Sequence, residues 1–412
     1  MTSAPTTDSR TDTRSVDALA PAARPLRVAH VLHAFSVGGA ERIAALLANH
    51  TDRAGFQPMI ICLDRNRAGR SWHLADDVPI VELRKRSGND PRVVFRMAKV
   101  LREHQVDVVH SNNWGTLLET SLARRLAGVP RHVHVEHGAE LVDLNLGFLK
   151  RRLRGTAMRW GLGRVDAVVS VCQGVTERIV ERCGYPAERV RQIPNGVDCP
   201  EGALDAAERN RVRAELGIGP ETCLIGSVGR LAPVKDFGTA IEAVARLIAD
   251  GRDVHLLLVG DGPEQPRLAD LAEARGIADR VHLVGQQCRV GPWLSAIDVY
   301  INSSLSEGMS LSILEAMSAG LPSVVTAVGE SASLVAGGDE CGVLVEPGAP
   351  EPLTAALGRL VNDASLRTRL GDNARKEFSR RYMTGQMVRQ YEHLYHRLVF
   401  GHGSRHQELP YG

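Results

Sequence analysis

Glu307 and Glu315 stand in the run Ser306-Glu307-Gly308-Met309-Ser310-Leu311-Ser312-Ile313-Leu314-Glu315-Ala316-Met317. The apolar run Ile297-Asp298-Val299-Tyr300-Ile301-Asn302 just before it reads as the end of a strand. A helical pattern follows, stopped by Gly320 and Pro322. One carboxylate therefore falls in a strand-to-helix loop and the other in the first turns of a helix. The backbone N–H groups at a helix start are unpaired and suit an anion. Carboxylates accept hydrogen bonds from hydroxyls. A site of this kind holds sugar hydroxyls and phosphate together, which points to a nucleotide sugar.

Three more constellations fall at strand ends. In Val228-Gly229-Arg230-Leu231-Ala232-Pro233-Val234-Lys235-Asp236, two cations follow a strand and precede a helix. Arg230 can grip two phosphate oxygens, and Lys235 supplies a compact charge. A departing nucleoside diphosphate gains negative charge, so cations there stabilise the transition state. In Ser36-Val37-Gly38-Gly39-Ala40-Glu41-Arg42, the paired Gly38 and Gly39 let backbone approach a ligand. The same pair fits a tight turn that needs φ > 0. In Val135-Glu136-His137-Gly138, beside His110-Ser111-Asn112-Asn113, His137 is placed next to the sugar, although a lone His is more often structural. Gly260-Asp261-Gly262 suggests a dinucleotide loop, but Gln265 stands where its third glycine belongs.

Elements that would position these groups alternate along the chain. Strand-like runs at 27–32, 58–63, 106–110, 132–135 and 167–170 alternate with helical patterns at 39–50, 93–103 and 116–127. The series restarts with runs at 224–228, 255–259, 281–284 and 299–301. Such alternation implies α/β architecture with parallel sheets, which bind ligands beyond the carboxyl ends of their strands. The division expected is a disordered tail at 1–25, a first doubly wound domain at 26–198 and a second at 199–383. A helix at 384–400 then crosses back to the first domain, and 401–412 forms a flexible tail. The 412 residues suffice for two domains; 43% are hydrophobic and 24% charged, as in soluble globular proteins. A net charge of only +2 gives no case for nucleic acid. Seven scattered Cys without C-x-x-C suggest reduced thiols in a cytoplasmic protein. No run is long enough to span a bilayer.

Taken together, these segments resemble the retaining glycosyltransferases of family GT4, which have the GT-B fold of two Rossmann-like domains facing across a cleft. The matching segments are Gly38-Gly39-Ala40-Glu41, Glu136-His137-Gly138, Ile193-Pro194-Asn195-Gly196-Val197-Asp198, Gly229-Arg230-Leu231 with Lys235-Asp236, Val259-Gly260-Asp261-Gly262-Pro263 and Glu307 with Glu315. The resemblance implies that Arg230 and Lys235 bind the donor diphosphate, Glu307 the sugar hydroxyls and Glu315 the ribose. It implies that backbone at Gly308, Met309, Ser310 and Leu311 lines phosphate and sugar. The Gly38–Gly39 loop would close over the phosphates, and His137 would assist at the sugar by hydrogen bonding. Many relatives carry Pro and Gly where this chain has Met309 and Ser310.

The reaction implied is transfer of a hexose-type sugar from a UDP- or GDP-linked donor to a glycan or lipid-linked acceptor, as in exopolysaccharide or surface-glycan assembly. Configuration would be retained, with no cofactor and no metal; no Asp-x-Asp occurs in the chain. The rival readings are a nucleotide-sugar epimerase and a non-catalytic sugar-nucleotide-binding protein. Residues 148–164 are basic, and Leu149, Leu153, Trp160 and Leu162 interleave with the cations. That pattern suits peripheral contact with an anionic membrane at the inner face of the cytoplasmic membrane, though Gly155, Gly161 and Gly163 weaken a long helix.

Overall fold

The computed structural model describes residues 24–36, 38–65, 73–88, 90–138, 148–336 and 339–401. Most of the tail expected at 1–25 and nearly all of that at 401–412 lie outside the described residues. Arg24, within the first of these, is bound: its guanidinium donates to both carboxylate oxygens of Asp107 at 2.7 and 2.8 Å.

Seven strands form one parallel sheet: β1 (Leu26–Leu32), β2 (Phe56–Cys62), β3 (Ile80–Glu82), β4 (Val108–Asn112), β5 (Arg131–Glu136), β6 (Ala167–Ser170) and β7 (Val190–Gln192), ordered β3-β2-β1-β4-β5-β6-β7. Six more form a second parallel sheet: β8 (Cys223–Val228), β9 (Val254–Val259), β10 (Val281–Leu283), β11 (Val299–Asn302), β12 (Ser323–Thr326) and β13 (Gly342–Val345), ordered β10-β9-β8-β11-β12-β13. Every residue of β4, β11 and β12 is buried, because helices cover both faces. Strand order reverses between β1 and β4 and again between β8 and β11. Loops diverge at such a switch point and leave a crevice beyond the strand ends. The runs around Gly38, Arg230, Lys235 and Glu307 all leave strands that flank these two points.

The chain passes between the sheets twice. It crosses first through Pro194-Asn195-Gly196-Val197-Asp198 and again at Tyr382-Met383-Thr384, and the two passes are hydrogen-bonded side by side. Val197 N donates to Tyr382 O at 3.0 Å, and Thr384 N donates to Val197 O at 3.2 Å. The last helix, Thr384–Phe400, lies against the first sheet. Tyr395 Oη is 2.5 Å from His110 Nδ1 in the buried interior, and Asp52 N donates to Glu392 Oε1 at 2.8 Å.

All seven cysteines are free; Cys199 and Cys288 are exposed and the other five buried. Burial pushes the thiols of Cys62, Cys172 and Cys223 up to about 12, which keeps them unreactive. Among the described residues no helix is long and apolar enough to cross a membrane.

Four buried imidazoles sit on the central strands of the first sheet: His30, His110, His132 and His134. Ser111 Oγ lies 2.8 Å from His132 Nε2 and 2.9 Å from His134 Nδ1. Burial lowers His30 to about 4 and His134 to about 3, and holds His110 and His132 well below the usual range. Folded-state values below the unfolded 6.5 mean that the unfolded chain binds more protons as pH falls through 6.5, so stability is present above that pH and lost below it. Each group should remove about 1 kcal/mol by pH 5.5. The melting temperature is therefore expected to drop by about 10 °C between pH 7.5 and 5.5. A flat profile over that range would show that these rings do not stay neutral in the fold.

Candidate active site

Beyond β8 the chain turns through Gly229 and Arg230 into the short 3-10 turn Pro233–Lys235. Beyond β11 it runs through Ser303 and Ser304 to Glu307. Leu305 N donates to Val234 O at 2.8 Å, and Ser303 Oγ donates to Lys235 O at 2.9 Å, which stitches the two loops together. Lys235 Nζ consequently meets Glu307 Oε1 at 2.5 Å. The same oxygen accepts from Ser304 Oγ at 2.7 Å and Asn302 Nδ2 at 3.3 Å. Arg230 stands exposed on the same loop as Lys235, its guanidinium without a partner among the described residues. The predicted cations and the first carboxylate thus gather on two adjoining loops. Ser304 and Asn302, which sequence reasoning passed over, hold that carboxylate.

Gly308 runs between the two halves of the molecule. A Cβ there would overlap the carbonyl oxygen of His137 and come within 3.1 Å of Gly138 Cα. On its other side Glu330 N donates to Gly308 O at 3.0 Å. Gly329, at φ +55°, presses against the Glu307 carbonyl, where a side chain has no room. Only glycine lets the Glu307–Gly308 loop and the His137 strand end approach this closely. The turn reading of Gly38 fails: its φ of −163° is extended, and a Cβ there would meet only the movable end of the Glu41 side chain. Gly39 opens the helix Gly39–His50, and a Cβ on it would touch Leu311 Cδ1 at 3.7 Å. The glycine loop of the first sheet therefore reaches the helix Leu311–Ser318 of the second.

His137 is fixed by its neighbours. Asn112 Nδ2 donates to Val31 O at 3.2 Å, so Asn112 Oδ1 faces His137 Nε2, 2.9 Å away, as an acceptor. Asn113 Oδ1 accepts from His137 N at 3.1 Å. Burial lowers the imidazole to about 4, so the ring is neutral at ordinary pH. With Nε2–H donating to Asn112, Nδ1 is left as an acceptor, and it has no partner among the described residues. That atom can take a hydrogen bond from a hydroxyl.

Glu315 is buried and lies 2.5 Å from Arg42, which comes from the helix Gly39–His50 on the other side of the cleft. Burial raises the carboxyl above its usual range, and Arg42 opposes that rise. Arg42 is a site residue that sequence reasoning missed, although it ends the quoted glycine run. The Met309 side chain turns away from the cleft: its sulphur accepts from Asn195 N at 3.2 Å, so only its backbone can line a ligand. Ser310 Oγ lies 3.2 Å from Ser312 Oγ and leaves the backbone N–H groups at the helix start uncapped. Gly260 and Gly262 serve packing: a Cβ at either would overlap the carbonyl oxygens of Gly229 and Leu231. Asp261, between them, supports the Arg230 loop, with Leu231 N donating to Asp261 O at 2.9 Å. Among the described residues no three His, Cys, Asp or Glu side chains converge as a metal site.

Two doubly wound parallel sheets with charged loops meeting between their switch points define a GT-B architecture. The description "Glycosyl transferases group 1" matches residues 208–377, and "Glycosyltransferase Family 4" matches residues 37–201. The chain is 30% identical over 369 residues to the lipopolysaccharide core biosynthesis glycosyltransferase LpsE of Rhizobium meliloti, which spans 87% of this chain and 97% of that one. It is 26% identical over 309 residues to the N-acetyl-alpha-D-glucosaminyl L-malate synthase of Bacillus anthracis, over 74% of this chain and 79% of that one. The structure of Anabaena Alr3699/HepE in complex with UDP superposes with a TM-score of 0.76 at 20% identity, over 90% of this chain and 99% of that one. The protein belongs to the group 1 glycosyltransferases, family GT4.

Proposed function

We propose that this glycosyltransferase moves a hexose-type sugar from a UDP- or GDP-linked donor to a glycan or lipid-linked acceptor in surface-polysaccharide assembly, with retention and without a metal. The observation that carries the reading is the Lys235–Glu307 contact beside the Gly308–His137 approach. The ammonium and carboxylate neutralise each other. A diphosphate draws Lys235, with Arg230, to its oxygens and frees Glu307 to accept from sugar hydroxyls. Neutral His137 accepts from another hydroxyl through Nδ1. The acceptor oxygen bonds to the anomeric carbon on the face that the diphosphate leaves, as the carbon–phosphate-oxygen bond breaks. The acceptor's proton passes to the departing phosphate oxygen, so the chain itself need supply no nucleophile. Support for a uridine donor comes from the UDP and UDP-glucose complexes of the structural relative. Support for a glycan product comes from relatives such as LpsE.

The test is thermal stabilisation by UDP- and GDP-sugars, with and without EDTA. One nucleotide sugar at a hundred times its Kd should add about 2.7 kcal/mol of stability, unchanged by the chelator. No shift with any sugar nucleotide, UDP or GDP would sink the donor site, and a shift abolished by EDTA would sink the metal-free clamp.

A peripheral membrane position is part of the same proposal. The basic stretch forms the helix Phe148–Leu162 despite its glycines, which permit close packing: Gly155 lies against Arg182 O and Gly161 against Leu117. Met158 and Leu162 face inward, while Leu153 and Trp160 are 63% and 41% exposed among Lys150, Arg152 and Arg159. Replacing Leu153 and Trp160 with Ser should lower binding to vesicles containing anionic lipid about tenfold. Equal sedimentation of wild type and variant with such vesicles would remove this surface from the proposal.

A further inference from the structure

A cleft of about 440 Å³ opens at the carboxyl ends of β1, β2 and β3. His33 and Ser36 line it from β1, Asp64 and Arg65 from β2, and Lys85 and Arg86 from β3. Backbone bonds fix these three strand ends together: Asp64 N donates to His33 O at 2.8 Å, and Lys85 N to Leu63 O at 2.7 Å. The lining is rich in donors. Lys85 is paired with Glu119 at 2.8 Å, and the Asp64 carboxylate accepts from Arg65 N at 2.7 Å. The guanidinium groups of Arg65 and Arg86 have no partner among the described residues. A neutral sugar presents hydroxyls that both donate and accept, so it calls for a lining of mixed character. Two unpaired guanidinium groups in one cleft suit an anion, which they can grip bidentately. The described lining holds no Phe, Tyr or Trp ring on which a sugar could stack.

We propose that this cleft seats the acceptor and recognises a negative charge on it, a phosphate or a carboxylate, through Arg65 and Arg86. The inference rests on the transferase reading above and names the substrate class for its acceptor side. The donor's diphosphate has its own cations, Arg230 and Lys235, on the other sheet. The cleft begins at Ser36, on the loop whose Gly39 reaches Leu311 at the donor helix, so a group seated there lies on the reacting side of the first sheet.

Calorimetric titration with three probes, glucose 1-phosphate, glucuronate and glucose, tests it. The proteins are the full-length wild type, the Arg65→Gln/Arg86→Gln double variant and the Arg230→Ala/Lys235→Ala double variant, each checked for an unchanged melting curve in buffer alone. At least one anionic probe should bind the wild type about tenfold more tightly than glucose. That affinity should fall about tenfold or more in the Arg65/Arg86 variant and stay unchanged in the Arg230/Lys235 variant. Which of the two anions binds tells phosphate from carboxylate. Glucose binding as well as both anions, neither anion binding, or a loss confined to the Arg230/Lys235 variant would each overturn the proposal. UDP and GDP titrated into the same proteins report on the donor site separately. If neither nucleotide binds while the anion pattern holds, the donor reading fails and the anionic cleft stands.

Discussion

Lys235→Ala is expected to lower kcat/KM for the nucleotide sugar by about 10²- to 10³-fold, with the melting temperature within a few degrees of wild type. The ammonium is the compact charge nearest the carboxylate assigned to the sugar, 2.5 Å away, and both side chains are largely screened from water. Charge that builds on a leaving diphosphate at such a place is opposed by little else. The fold does not depend on the ammonium. Ser303 and Leu305 hold the loop through backbone atoms of Lys235 and Val234, and Glu307 keeps Ser304 and Asn302 as donors. Arg230→Ala should cost less, about 10-fold to 10²-fold, because its guanidinium is exposed to solvent, which screens its charge. Steady-state rates of nucleotide release, measured over a range of donor concentrations, decide the matter. Intact turnover in both variants removes the phosphate-clamp assignment.

Gly308→Ala should be about as damaging, with kcat reduced about 10²-fold or more. Here the loss is geometric. The added methyl group overlaps the His137 carbonyl and meets Gly138, so the two strand ends must separate. Neither sheet's interior changes, and the variant should fold. Its donor affinity should change less than its rate, since Lys235 and Glu307 belong to the same side of the cleft. Small-angle scattering should report a wider average separation of the halves. A normal rate with an unchanged scattering profile would mean that this approach is not part of the working enzyme.

Strands such as β1, β4, β8, β9 and β11 were legible because buried parallel strands are continuous apolar runs, and their bounds fall within a residue or two of the sequence reading. The edge strands β3 and β7 were not. Each has three residues, largely half-buried, and too few positions to show a pattern. β12 begins just after Pro322, which had marked only the end of the preceding helix. The chemistry followed the same divide. Lys235 and Glu307 were visible because each stands directly after a strand, where ligands bind in this architecture. Arg42 was not, because its meaning lies in Glu315 across the cleft, and no local spacing encodes a contact between sheets. Of the glycine readings, the turn alternative at Gly38 fails because its φ is extended, whereas Gly260 and Gly262 touch neighbouring backbone, in keeping with the missing third glycine of a dinucleotide loop.

The paired passes between the sheets govern how the halves can move. A single linker would act as a ball joint and allow twist as well as swing. Here Val197 is bonded to Tyr382 and Thr384, and the sulphurs of Met309 and Met387 accept from Asn195 N and Gly196 N at 3.2 Å. Gly196 lies so close to Met383 O that a Cβ would stand 2.7 Å from it. Two chain segments fastened side by side behave as a strap hinge with one pin. Any opening of the halves is expected about that line, so that closing would bring Gly308 back to His137 and Leu311 back to Gly39.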